Sequence, residues 1–341
     1  MRNHLSLYAL RDLEKMISRR KGETRFGEKI RLLNEGQELE EQLQASKAKY
    51  VLFGIPEDIG IVANHGHKGA RHAWHTALQQ LLNTQHHPNN KGKKILLLGH
   101  LDFSKEIEEL DALISSGDVY IEKARQLTAR IDAEVTDLVR KIVAAGKKPI
   151  VIGGGHNNGY GIIKGCALAL GKPVNSINID AHTDFRATEG RHSGNGFSYA
   201  FREGLLDRYY VFGLHENYTS KSIFKKLEEY NDRIRFSTLD ELLLSADTTL
   251  DYHTEQALQF VKRSPYGIEV DCDAIANVPS SAMTPTGFSP EQVRRLINYW
   301  KNNKNVQYLH ICEAAPDPEN DRELRMTGKL LSYFITDFIR K

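Results

Sequence analysis

Cysteine is scarce. The 341 residues include Cys166, Cys272 and Cys312, an odd trio, far apart and without a Cys-x-x-Cys pair. That usage excludes a disulfide framework and a thiolate zinc site. Long apolar runs are missing as well. No stretch approaches the about 18 uncharged apolar residues of a membrane-spanning helix, and the start, Met1-Arg2-Asn3-His4, lacks the apolar segment of a secretion signal. Charge of one sign is lacking too: 46 Lys and Arg against 44 Asp and Glu leave a net +2. That balance points neither to nucleic acid nor to an acidic membrane surface. Internal repeats, low-complexity tracts and Pro/Ser linkers are absent. A soluble, cytoplasmic protein is expected, with one large domain favoured over two.

What is present is a succession of short apolar runs, at 49–54, 94–99, 149–152, 174–179, 209–214, 233–236, 266–270 and 306–311. Helical patterns separate several of them, at 74–83, 120–145, 159–170, 222–230 and 290–302, and a last one fills 325–340. About eight strands interleaved with helices predict an α/β fold, a mainly parallel sheet covered on both faces. Residues 1–48 are charged, with Leu10, Leu13 and Ile17 at helical spacing, and read as an N-terminal helical extension. Residues 49–341 read as a single catalytic domain.

Three strand ends carry chemistry. The run 174–179 breaks into Asp180-Ala181-His182-Thr183-Asp184. In an extended backbone alternate side chains share a face ~7 Å apart, so Asp180, His182 and Asp184 converge. The run 149–152 ends in Gly153-Gly154-Gly155-His156, and 266–270 in Asp271-Cys272-Asp273. In open α/β sheets ligands bind beyond the carboxyl ends of strands, where all three lie. Taken singly, each has a plainer reading: a helix cap, a surface loop, a structural histidine, or a glycine turn without phosphate-binding spacing. Their joint occurrence points to a metal site. The six ligands His156, Asp180, His182, Asp184, Asp271 and Asp273 exceed the needs of one ion and suit two divalent ions sharing carboxylates. Without sulfur in the set, Mn²⁺ is favoured, with Fe²⁺ or Ni²⁺ next and Zn²⁺ less so. Cys272, between two ligands, should face the opposite side of the strand.

With these motifs the sequence resembles the ureohydrolases, the arginase, agmatinase and formimidoylglutamase family. Weaker matches are Asn64-x-Gly66-x-x-Gly69-Ala70 and Cys312-Glu313-Ala314-Ala315-Pro316, and the resemblance spans residues 51–339. It implies the arginase-like three-layer αβα fold and two Mn²⁺ per subunit. One ion would be held by His156, Asp180, Asp184 and Asp271, the other by His182, Asp273 and the shared Asp180 and Asp271. It also implies that Glu313 pairs with the cationic nitrogen group of the substrate, and that Ser193 and Asn195 contact substrate. A homo-oligomer is expected.

Departures from the family pattern choose within it. Gly155 stands where arginases and agmatinases usually have Asp, as in formimidoylglutamases. Ser193-Gly194-Asn195 matches arginases, but Phe197 replaces their catalytic His, and Ala276-Asn277 replaces the usual Asp-Pro. Proton transfer is then left to His192 or His215. Arg186, Arg191 and His192 follow the metal motif closely. Arg suits bidentate capture of carboxylates, of which a glutamate-like substrate has two, although solvated loop cations would look the same. The expected reaction is hydrolysis of N-formimidoyl-L-glutamate to L-glutamate and formamide, a step of histidine breakdown. The alternatives are a guanidino hydrolase acting on agmatine, arginine or a guanidino acid, and an inactive member that keeps its metals. A single-zinc deacetylase fits less well.

Overall fold

The protein is described from a computed structural model, in which residues 4–34, 36–117, 119–244 and 249–340 are described; Met1–Asn3 of the amino terminus lie outside these. The strands are β1 (Leu5–Leu7), β2 (Arg31–Leu32), β3 (Tyr50–Gly54), β4 (Ile95–Leu101), β5 (Lys148–Ile152), β6 (Val174–Ile179), β7 (Leu206–Leu214), β8 (Ile234–Thr238), β9 (Tyr266–Asp271) and β10 (Val306–Cys312). They form one sheet in the order β1-β4-β3-β5-β10-β9-β6-β7-β8, with β2 also on β4. Only β1 runs antiparallel to its neighbour among these pairs. All eight apolar runs are strands.

Continuous apolar strands arise because both faces of a parallel sheet are covered. Successive side chains alternate between two cores. Leu52, Ile150, Ile152 and Ile268 pack on one face with the helices Ala73–Leu82, Leu250–Val261, Pro290–Trp300 and Asp321–Ile339. Val51, Phe53, Val151 and Val211 pack on the other with Ser104–Ser116, Ile121–Ala144 and Asn158–Leu170. Helix boundaries follow local chemistry. Ser289 and Gln292 exchange hydrogen bonds with each other's backbone N–H at the start of Pro290–Trp300, a capping box with Pro as first helical residue. Gly171, at φ +64°, ends Asn158–Leu170 and turns the chain into β6.

The first 48 residues differ from a purely helical extension. Two short helices, Leu10–Met16 and Leu39–Ala45, are joined by β1 and β2, which pair with β4. The open edge of β4 offers unpaired backbone groups, and satisfying them outweighs local helical preference. Of the residues at helical spacing, Leu13 is buried in the core whereas Leu10, the first residue of its helix, is 64% exposed.

Register places the functional ends. Ile152 pairs with Ile311, Ile311 with Val270, and Val270 with Ile179. These four residues form one row across β5, β10, β9 and β6. The next residues along are Gly153, Cys312, Asp271 and Asp180, so the motifs emerge level and side by side.

Close packing within this central sheet can be tested at Gly267. A Cβ there would lie 1.9 Å from Cζ of Tyr308, a fully buried ring. Gly267→Ala is expected to cost about 1–3 kcal/mol of unfolding free energy, measured by denaturant titration. A change under about 0.5 kcal/mol would show that the ring moves aside freely.

Candidate metal centre and substrate cavity

The turn after β5 uses left-handed backbone at Gly153 (φ +89°) and Gly154 (φ +74°), which brings His156 over the ends of β6 and β9. A Cβ on Gly155 would meet Asn157 Oδ1 at 2.5 Å and Ile61 Cγ1 at 2.7 Å, so the turn has no room for a larger residue there. Asp184 and Glu313 also take left-handed backbone, φ +46° and +60°. Such strain costs about 1–3 kcal/mol per residue and concentrates at functional sites.

The side chains converge as the motifs predict. His156 Nδ1 lies 2.9 Å from Asp184 Oδ2, 3.0 Å from Asp271 Oδ2 and 3.3 Å from Asp180 Oδ2. One donor atom from each of these four residues fits within 4.8 Å of the others. His182 Nδ1 makes a second lobe, 3.6 Å from Asp180 Oδ1 and 3.7 Å from Asp273 Oδ2. Asp180 therefore turns one oxygen to each lobe. Asp271 is held in the same way as Asp180, whose Oδ1 accepts the His182 backbone N–H at 2.7 Å: its Oδ1 accepts the Asp273 backbone N–H at 2.7 Å, and its Oδ2 faces His156. Cys272 is buried in the core and belongs to neither lobe.

Electrostatics show what this cluster needs. Burial, reinforced by neighbouring carboxylates, raises the pKa of Asp184 and lifts that of Asp271 well above the usual carboxylate range. Burial also raises Asp273, against the pull of His182. Asp180 is the exception: burial works against its charge, but hydrogen bonds from His156 and His182 outweigh it and lower the pKa. Glu313, buried and close to Asp273, is pushed up to about 8. Five carboxylates thus face two imidazoles and cannot all ionise without further positive charge. Oxygen and nitrogen donors with surplus negative charge fit divalent cations of the Mg²⁺ to Mn²⁺ and Fe²⁺ type. His156, His310 and Cys312 also come close together, but His310 Nδ1 is engaged by Glu269 at 2.6 Å and the Cys312 thiol donates to the Val270 carbonyl.

Beside the cluster opens a cavity of about 490 Å³, within the range of small-molecule sites. Its walls include His182, Asp184, Asp271, Asp273 and Glu313, together with Asn64, Arg186, Ser193, Tyr218 and Ser220. Glu313 Oε1 accepts the His156 backbone N–H at 2.6 Å, whereas the buried Oε2 has no hydrogen-bond partner. Arg186 is exposed at the mouth and donates to Asn64 Oδ1 at 3.3 Å. Ser193 Oγ accepts from Asn64 at 3.2 Å.

Four of the candidates from sequence for substrate contact or proton transfer lie away from the cavity walls. Arg191 is 5% exposed and donates to Asp132 at 2.7 Å and to the Asn157 carbonyl at 2.9 Å. Its guanidinium is sandwiched between Tyr160 and Tyr199, at 4.8 and 4.9 Å. Its donors are used inside the protein, which corrects its assignment to substrate. Asn195 accepts from Arg191 and donates to the Ala187 and Gly190 carbonyls at 3.0 and 2.8 Å, so it braces the loop. His192 Nδ1 accepts the Gly194 N–H at 3.2 Å, and Nε2 faces Glu189 at 3.3 Å. Those contacts fit a neutral structural ring, not a proton shuttle. His215 is buried with Nε2 unpartnered and stacks on Tyr218 of the cavity wall. Phe197 lies beneath the cluster, its ring edge-on to His156 at 5.1 Å and stacked on Tyr209 at 4.4 Å.

Sequence reasoning missed two buried acids. Glu57, just past β3, accepts from the backbone of Ile59, Gly60 and Gly155 and from the amides of Asn157 and Asn158. It ties the glycine turn to the neighbouring strand end. Glu269 lies inside β9 and meets Tyr308 and His310. The available signal was an acid within or just after an apolar parallel strand.

Comparison with known proteins follows the same lines. A family model described as the Arginase family matches residues 48–339. A formimidoylglutamase of Macrococcus caseolyticus (strain JCSC5402) is 29% identical over 213 residues, 60% of this chain and 65% of that protein, just under two thirds of the relative's length. One of Geobacillus sp. (strain WCH70) is 27% identical over 329 residues, 93% of this chain and 92% of that one. The crystal structure of Trypanosoma cruzi formiminoglutamase with Mn²⁺ superposes with a TM-score of 0.70 at 20% identity, covering 93% of this chain and 99% of that one. The superposition establishes a shared fold.

Burial lowers the His192 pKa to about 4, from an ordinary 6.5. The unfolded chain therefore takes up this proton first, and stability falls as pH drops from about 6.5 towards 4. Urea unfolding of wild type and His192→Asn at pH 7 and pH 4.5 tests this. The stability advantage of wild type should shrink by about 1–3 kcal/mol at the lower pH. An equal difference at both pH values would mean that the ring titrates alike in the folded and the unfolded chain, so that its pKa is not lowered.

Proposed function

The chain belongs to the arginase family, and from that premise we propose that it hydrolyses a C–N bond of an amidine, N-formimidoyl-L-glutamate in particular, to give L-glutamate and formamide. The observation that carries this reading is the cluster of His156, Asp180, Asp184 and Asp271 opening into a cavity with the free Glu313 Oε2. In this proposal residues 49–341 form the catalytic domain of a cytoplasmic homo-oligomer acting in histidine breakdown. No helix among the described residues is long and apolar enough to cross a membrane.

His156, Asp180, Asp184 and Asp271 would hold one Mn²⁺ and His182 and Asp273 a second, with Asp180 and Asp271 shared. When bound, such ions acidify water and so supply a nucleophile at neutral pH. The protein contributes position and charge. Glu313 would ionise against a cationic amidinium and hold it by a charge-assisted hydrogen bond, since an adjacent cation favours the carboxylate form. Its left-handed backbone and the bond from the His156 N–H fix Oε1, leaving Oε2 for substrate. Arg186 at the mouth would receive the substrate carboxylates, with Asn64 and Ser193 beside it. His215 is the remaining candidate for proton transfer, reached through the cavity wall at Tyr218. The nearest alternative within the family is guanidino hydrolysis, with Glu313 holding a guanidinium instead.

The ligand assignment separates Asp271 from its neighbour Cys272. Metal-stripped protein reloaded with Mn²⁺ should hold two ions per chain in wild type and Cys272→Ala. Asp271→Ala should lose at least one ion and nearly all activity. Equal Mn²⁺ content in the two variants, or saturation of wild type at one ion, would refute the two-ion assignment.

Substrate choice turns on Arg186. Arg186→Ala should leave Mn²⁺ content unchanged and lower kcat/KM for formimidoylglutamate about ten- to a hundredfold, the effect of losing about 1.5–3 kcal/mol. Agmatine, which has no carboxylate, should show no such loss. Unchanged turnover of formimidoylglutamate, or agmatine as the better substrate of the wild type, would overturn the proposed substrate.

A further inference from the structure

Beneath the candidate metal centre lies a polar layer inside an otherwise apolar sheet. Two residues back along each strand from the row that carries the ligands, register sets Asn178, Glu269 and His310 side by side on β6, β9 and β10. Alternation along β9 puts Glu269 on the same face as Asp271, directly behind it. Glu269, His310 and Tyr308 are all 0% exposed. Apolar residues are the default at such positions in a parallel sheet, and a buried acid is costly unless it is paired and hydrogen-bonded.

The pairing here is specific. Glu269 Oε1 accepts the Tyr308 hydroxyl at 2.6 Å, and Oε2 faces His310 Nδ1 at 2.6 Å. The same Oε2 lies 3.6 Å from Nε2 of His156, a few tenths of an ångström beyond hydrogen-bonding distance. That Nε2 is buried and has no hydrogen-bond partner. On its opposite edge the same imidazole presents Nδ1 to Asp180, Asp184 and Asp271. Asn178 serves the neighbouring ligand, donating to Asp180 Oδ2 at 2.8 Å.

We infer that Glu269, held by Tyr308 and His310, is a positioning residue for the metal centre: it takes the Nε2–H of His156 and so fixes Nδ1 towards the ions. An imidazole that binds a metal through one nitrogen keeps its proton on the other, and an acceptor facing that N–H sets both tautomer and ring orientation. Glu269 is the charged acceptor that faces it. Phe197, edge-on to the same ring, restrains its tilt but offers no acceptor. The inference rests on the metal-binding reading proposed above and adds to it a residue that touches neither metal nor substrate.

The test is Mn²⁺ affinity, read by competition with a fluorescent chelator on metal-stripped protein, together with the melting temperature of the metal-free forms. Glu269→Gln removes the charge at nearly constant volume, and Tyr308→Phe removes only the bond that holds Oε1. Glu269→Gln should weaken Mn²⁺ binding about ten- to a hundredfold, the usual effect of losing such a partner. Tyr308→Phe should weaken it less, and the KM of the reloaded enzyme should stay near that of wild type. A folded Glu269→Gln protein with affinity within about twofold of wild type would overturn the inference, even if its metal-free form melts lower, since that pattern is a purely structural role. Should Glu269→Gln fail to fold, Tyr308→Phe decides, and unchanged affinity there overturns the inference equally. A wild type that takes up no Mn²⁺ would overturn the metal-binding reading itself and the inference with it.

Discussion

Uncompensated negative charge, buried at the ends of level strands, is the constraint on which the rest of the molecule depends. Asp180, Asp184, Asp271, Asp273 and Glu313 lie within one small region, with His156 and His182 as the imidazoles among them. In water these carboxylates would separate and ionise freely. Here the sheet holds them together, and burial raises the pKa of most of them. The folded protein therefore stores a strong preference for cations at one place. That preference makes the site chemically useful, and it must be supported by stability from elsewhere.

The support comes from two apolar layers and from hydrogen bonds arranged around the carboxylates. Cores on both faces of the sheet keep β5, β10, β9 and β6 in register, so that the residues beyond their ends share one level. Glu57 and its amide partners secure the glycine turn. Arg191, Asp132 and Asn195 secure the loop that follows Asp184, with the guanidinium between two tyrosine rings. Polar groups that look catalytic by proximity in sequence are thus spent on rigidity. A cavity wall can then carry strained residues such as Asp184 and Glu313 without losing its shape.

The cavity itself is asymmetric. Its inner wall is acidic and holds the one unpartnered carboxylate oxygen of Glu313, while its mouth carries Arg186 between Asn64 and Ser193. A molecule that is cationic at one end and anionic at the other would find complementary charge along this axis. Formimidoylglutamate, the substrate we propose, has that polarity. Agmatine, cationic at both ends, would place an amine against Arg186, and like charges there are unfavourable.

The sequence by itself determined the eight central strands, the α/β class and the six ligand candidates. Period-two spacing and the habit of parallel strands of presenting ligands at their carboxyl ends are local properties of the chain. It did not reveal that β1 and β2 finish the sheet, because edge pairing answers unpaired groups on β4 that only the folded sheet creates. Nor did it separate the charges at 186, 191 and 192. Arg186 faces the cavity, while Arg191 turns inward to Asp132, a residue 59 positions away, and His192 caps its own loop. Glu269 drew no notice in sequence, since its role needs His310 and His156 from other strands. Residue type and spacing decide which groups can do chemistry. Which of them are free to do it depends on partners distant in sequence, and only the tertiary structure brings those partners together.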